Sequence, residues 1–71
     1  MSDNTVNLNY ISKRRKELGF TQSVMAAKLG MKSAPAYNKY EKGIYKFNAD
    51  IIPLLVKTLR CEMSDIFCLQ N

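Results

Sequence analysis

The 71-residue chain contains no histidine, and that absence excludes more chemistry than any other feature of its composition. Without imidazole there is no Ser-His-Asp triad, no histidine zinc ligand and no side chain that titrates near neutrality to shuttle protons. Cysteine does not fill the gap. Cys61 and Cys68 are the two present, they form no C-x-x-C pair, and they supply no metal constellation. They read as reduced, small apolar residues, with an intermolecular disulfide as the alternative. The three glycines, Gly19, Gly30 and Gly43, are isolated, so no glycine-rich phosphate loop exists. No run of about 18 apolar residues occurs, which argues against a membrane span. The polar opening Met1-Ser2-Asp3-Asn4-Thr5 is unlike a signal peptide, and a cytoplasmic protein is expected. The composition therefore speaks against an enzyme and calls for no metal, cofactor or small-molecule substrate.

Acidic residues are also scarce, 6 against 11 Lys+Arg, giving a net charge of +5. The imbalance is uneven. Up to Phe47 there are nine basic residues and three acidic ones (Asp3, Glu17, Glu41), whereas from Asn48 onward two basic residues meet three acidic ones. An anionic partner, most naturally a nucleic-acid backbone, belongs on the first two-thirds of the chain. Charge of this size also serves solubility, so charge does not decide the function.

What is present is a helical rhythm. Each glycine follows a stretch with apolar residues at helical spacing, the place where a left-handed residue ends a helix. The first stretch, 8–18, puts Leu8, Ile11, Arg15 and Leu18 on one stripe. The second, 22–29, follows Thr21 as N-cap and turns Met25, Ala26 and Leu29 inward. The third, 34–42, follows Ser33 and turns Tyr37 and Tyr40 inward. Asn48 or Asp50 caps a fourth helix, 50–60, with Ile51, Ile52, Leu55, Val56 and Leu59 as its apolar set. Pro53 fits the first turn if Asp50 is the cap, and a distorted first turn follows if it is Asn48. A fifth helix, 63–69, offers Met63, Ile66 and Phe67 to the core. The reading is an all-α bundle of five short helices, a single domain over 8–69 behind a flexible N-terminus at 1–7.

The second and third helices, joined by a turn with a central glycine, make a helix-turn-helix unit. Its second helix can enter a major groove while the first lies across the backbone, and free N–H groups at both helix starts face phosphates. The residues that fill this frame are Ile11-Ser-Lys-Arg-Arg-Lys-Glu-Leu-Gly19-Phe-Thr-Gln22, Met25-Ala26, Lys28-Leu29-Gly30-Met31, Tyr40-Glu41-Lys42-Gly43 and Leu55-Val56-Lys57-Thr58-Leu59. They resemble the lambda-repressor-like (Cro/CI, XRE) DNA-binding domain over almost the whole chain. In size the chain is similar to the small Cro-like regulators, and to the modulators of repression (antirepressors), of temperate phages of Gram-positive bacteria. The resemblance implies residence in a bacterial cytoplasm and operator DNA as partner, with Gln22 on a phosphate and bracing the recognition helix. It also implies Thr21 and Ser33 at capping positions, Ser33 also at the DNA. Asn38 and Lys39 fall on the outward face of the third helix and, with Lys32, remain as candidate base readers, though lysine more often meets phosphate. Lys42 and Lys46 flank the following turn, where the family holds phosphates.

The pattern breaks at the start of the third helix. Long polar side chains are usual there, and this chain has Ala34, Pro35 and Ala36. None can make a side-chain hydrogen bond, so the roughly 1–3 kcal/mol of discrimination from a bidentate base contact is forfeited at each. Ile44, Tyr45 and Phe47 follow in a connection that is usually polar, and Phe47 can pack against the fourth helix. If Ile44 and Tyr45 are exposed, they join Ala34, Pro35 and Ala36 as a surface suited to a protein partner. Two functions follow. One is a regulator of a phage-type switch that modulates repression at operator DNA, as a homodimer or with a partner repressor. The other is a pure antirepressor that covers the repressor's DNA-binding domain.

Overall fold

The computed structural model describes residues 5–68. Five helices fill most of it: α1 (Leu8–Glu17), α2 (Gln22–Lys28), α3 (Ala34–Glu41), α4 (Ile52–Leu59) and α5 (Met63–Ile66). They are closed at the ends by a two-residue antiparallel pair, β1 (Thr5–Val6) with β2 (Phe67–Cys68). The all-helical architecture is as the periodicity predicts, and the differences lie at its ends.

Residues 5–7, expected to belong to a flexible tail, are tied down. Val6 pairs with Phe67, Asn7 N–H donates to the Ile66 carbonyl at 2.6 Å, and the Asn7 side chain accepts from Tyr10 N–H as the N-cap of α1. The fifth helix is correspondingly one turn and not the expected 63–69. Phe67 is extended (φ −100, ψ 134), because its backbone is used by the strand pair. Leu69 lies outside the described residues. Met63, expected in the core, is 47 % exposed, while Ile66 is fully buried.

The core is Ile11, Met25, Ala26, Leu29, Tyr37, Phe47, Ile52, Leu55, Leu59 and Ile66. Every helix contributes, and Phe47 enters from the connection between α3 and α4, its ring 5.2 Å from that of Tyr40. Arg15 is the charged member of this interior. At the start of α4 the N-cap position falls on Ile51, which makes no side-chain capping bond, and of the two expected caps it is Asn48 that bonds the preceding turn. Its Oδ1 accepts from Ile51 N–H at 3.0 Å, its carbonyl accepts from Ile52 N–H, and residues 49–51 form turns before regular helix begins at Ile52. Pro53 then sits in the first helical turn, where its missing N–H leaves no bond unmade.

The helix-turn-helix angle depends on Gly30. With φ +76 it turns the chain between α2 and α3 in the left-handed region that an L side chain enters only at a cost. Gly43 (φ +84) ends α3 in the same left-handed region, and a Cβ there would stand 3.0 Å from the Leu8 side chain, which would have to give by a few tenths of an ångström.

Candidate nucleic-acid interface

A buried carboxylate organises this end of the molecule. Glu41, in the last turn of α3, has both oxygens occupied. Oε2 accepts from Arg15 Nε at 2.8 Å and from Tyr37 Oη at 2.8 Å. Oε1 accepts from Arg15 Nη2 at 3.2 Å and from Gln22 Nε2 at 2.9 Å. Arg15 Nη1 completes the set on the Phe20 carbonyl at 2.8 Å. Glu41 and Arg15 together join the end of α1, the chain entering α2, the first residue of α2 and two turns of α3. Burial alone would raise the Glu41 pKa, but hydrogen bonds from Arg15, Gln22 and Tyr37 together with the Arg15 charge reverse this and hold it below its ordinary value. Burial, with the bond to Glu41, pushes the Tyr37 hydroxyl far up, so it remains a proton donor.

Gln22 is placed by this network. One of its amide hydrogens goes to Glu41. Helical spacing places Arg15 on the apolar stripe and leaves its partner open. A cation between Ile11 and Leu18 at core spacing was the available signal, because a buried arginine requires an acid. That the acid is Glu41 is a tertiary fact.

The helix starts differ. Thr21 caps α2, its Oγ1 accepting from Val24 N–H at 3.1 Å. Ser33 occupies the N-cap position of α3 in extended conformation, but its side chain makes no capping bond, contrary to expectation. Its hydroxyl is thus not engaged with the helix start. Lys32, Lys39, Lys42 and Lys46 are all exposed, and Asn38 is half-buried. At the start of α3, Pro35 is exposed and Ala34 and Ala36 are half-buried.

Ile44 and Tyr45 are 64 % and 48 % exposed. Their N–H groups both donate to the Lys39 carbonyl, at 2.9 and 3.2 Å, which fixes this segment to the end of α3. Lys39 Nζ lies 5.4 Å from the Tyr45 ring centroid, and Tyr45 stands edge-on to Tyr40. Ile44 and Tyr45 therefore sit at the opposite end of α3 from Ala34, about 12 Å along the axis at 1.5 Å per residue. They lie at the end of α3, and Ala34–Ala36 lie at its start.

Basic residues of α1 divide. Arg15 is neutralised by Glu41. Arg14 Nε donates to the Leu59 carbonyl at 2.9 Å, at the C-terminus of α4, where a cation also complements the helix dipole. Lys13 and Lys16 remain exposed. Among the described residues no group of His, Cys, Asp or Glu could hold a metal ion, and no helix is long and apolar enough to cross a membrane. Cys61 is a free, half-buried thiol whose pKa burial pushes up, and the Cys68 side chain lies outside what the structure describes.

No curated protein matches the chain. A family model does: residues 11–66 match the one described as helix-turn-helix, HTH_3, from the middle of α1 to the end of α5. The glycine-turned α2–α3 unit, braced through Glu41 and rimmed by lysines, lies within that match, and the chain belongs to the HTH_3 helix-turn-helix family of DNA-binding regulators.

Proposed function

We propose that the protein is a small transcriptional regulator of a phage-type genetic switch, modulating repression at operator DNA together with a partner repressor. The observation that carries this reading is the contrast on α3. Lys32, Lys39, Lys42 and Lys46 are exposed around it, yet its first turn is Ala34-Pro35-Ala36. The lysines attract phosphate without reading sequence. The apolar first turn retains contact with thymine methyl groups but no hydrogen-bonded base readout. Specificity then needs a second source, and a repressor bound at the same operator supplies one.

In this reading Gln22, Lys32, Ser33, Asn38, Lys39, Lys42 and Lys46 meet DNA, and Ala34, Pro35, Ala36, Ile44 and Tyr45 meet the partner. The exposed Ile44 and Tyr45 also support the second reading, a pure antirepressor that occupies the repressor's DNA-binding domain. Size-exclusion chromatography of the chain with operator DNA, with the neighbouring repressor, and with both separates the two. Co-elution of all three supports the switch regulator, whereas co-elution with repressor and release of DNA supports the antirepressor. Co-elution with neither excludes both. Tyr45→Ala and Ala36→Glu are expected to weaken repressor capture, and capture at wild-type level by both moves the interface elsewhere.

A further inference from the structure

A cleft of about 340 Å³, lined by Phe20, Lys28, Leu54, Lys57, Thr58 and Arg60, opens beside α2 and α4. None of its residues belongs to α3 or to the connection after it, so DNA docking by α3 does not account for it. Three of the six are cations and none is a carboxylate. Lys28 Nζ lies 5.1 Å from the Phe20 ring centroid, so one cation already covers the aromatic wall. Leu54 is 41 % exposed. Val24, 38 % exposed, stands one turn before Lys28 on the same face of α2. Of the large apolar side chains left exposed in the described residues, Leu54 thus lines this basic cleft and Val24 lies one helical turn from one of its cations.

Lys28 and Lys57 lie in the last turns of their helices, where a cation complements the dipole. That accounts for two of the charges but not for the apolar surface beside them. We propose that this cleft is a second docking site, for an acidic amphipathic segment of a partner protein. Its carboxylates would pair with Lys28, Lys57 and Arg60, and an apolar side chain would lie between Leu54 and Phe20. Charge complementarity identifies the occupant as acidic, and the exposed Leu54 and Val24 identify it as amphipathic. A carboxylate that draws Lys28 off the Phe20 ring also opens the aromatic wall to that anchor. A nucleic-acid backbone meets the charges but brings no apolar group to cover Leu54 and Val24.

The test is an NMR titration of the full chain with a synthetic helical peptide of about twelve residues, mostly glutamate, with leucines at i, i+3 and i+4 spacing. A control peptide of equal charge carries serine for each leucine, and a mixed-sequence DNA duplex forms a third arm. The expected result is amide shifts centred on Phe20, Val24, Lys28, Leu54, Lys57 and Thr58, with the serine peptide binding roughly tenfold weaker. The double variant Lys28→Glu/Lys57→Glu should weaken binding roughly tenfold or more, and Leu54→Ser several-fold. All three side chains are exposed, so thermal unfolding monitors an intact fold. Equal binding of both peptides would reduce the effect to net charge, and shifts centred on Lys32, Lys39, Lys42 and Lys46 would relocate it. Shifts at the cleft produced equally by DNA would assign it to phosphate. Each of these results overturns the proposal.

Discussion

Glu41 is the residue on which the α1–α2–α3 arrangement most depends. Four donated hydrogen bonds converge on it, and its pair with Arg15 is nearly excluded from solvent, with side-chain exposures of 9 % and 8 %. Replacing one partner of a buried ion pair typically costs about 3–5 kcal/mol, because the other charge is stranded. A domain of this length has a total stability of roughly 4–10 kcal/mol. Glu41→Gln should therefore lose most of the stability, measured by urea unfolding at low temperature. The pH dependence follows with a definite sign. The folded Glu41 pKa lies below its ordinary 4.5, so its contribution is complete above about pH 4.5 and is lost as pH falls through the folded value. The stability difference between wild type and Glu41→Gln should shrink on acidification below pH 4.5. A constant difference down to pH 2 would show that the charge of Glu41 is not what stabilises the fold. Sequence reading placed Arg15 at a core position and Glu41 in the Tyr-Glu-Lys-Gly run, but their pairing spans 26 positions and two helices. Periodicity gives the face of a residue and not its partner.

Elements were more legible than their ends. Helices α1 to α3 lie where apolar spacing and the three glycines place them, because helix-period burial and left-handed terminators are local properties, and α4 begins two residues later than its expected start. The fifth helix is shorter than its apolar spacing predicts because its end is set by a strand pair with Val6, more than sixty residues earlier. The choice between Asn48 and Asp50 was also open, since both can cap. Caps offer a direct comparison. Thr21→Ala removes a bonded cap and should cost about 1 kcal/mol, whereas Ser33→Ala removes none and should change stability by less than about 0.5 kcal/mol. Equal losses in thermal melts would mean that Ser33 does bond to α3 in solution. The end of α4 carries the reverse opportunity. Arg60 holds φ 53 and ψ 52, a conformation that costs an L side chain about 1–2 kcal/mol and glycine nothing. Allowing for the greater freedom of glycine when unfolded, Arg60→Gly should stabilise by about 0.5–1 kcal/mol and raise Tm by roughly 2–8 °C. The bond from Arg14 to the Arg60 backbone carbonyl does not depend on the Arg60 side chain. A lower Tm would mean that this side chain contributes more than its backbone conformation costs.

At the scale of the whole molecule, the net charge of +5 resolves into groups with separate roles. Arg14 and Arg15 serve the fold, bonded to the end of α4 and to Glu41. Lys28, Lys57 and Arg60 line the cleft, Lys13 and Lys16 lie on α1, and Lys32, Lys39, Lys42 and Lys46 surround α3. Total charge therefore overstates what DNA can use, and a salt titration separates the groups. Each lysine that displaces a counterion from duplex DNA adds about 0.9 to the steepness of log K against log salt. The double variant Lys42→Ala/Lys46→Ala should therefore reduce that slope by about 2, and should weaken operator and scrambled duplex equally because phosphate contacts carry no sequence information. Lys13→Ala/Lys16→Ala changes the net charge by the same amount on α1, outside the α2–α3 unit, and should change the slope less. Fluorescence anisotropy across a salt series measures both. Equal slope changes in the two variants would mean that DNA responds to the total charge of the chain. A reduced slope in the α3 pair alone would place phosphate beside the helix whose first turn is Ala34-Pro35-Ala36.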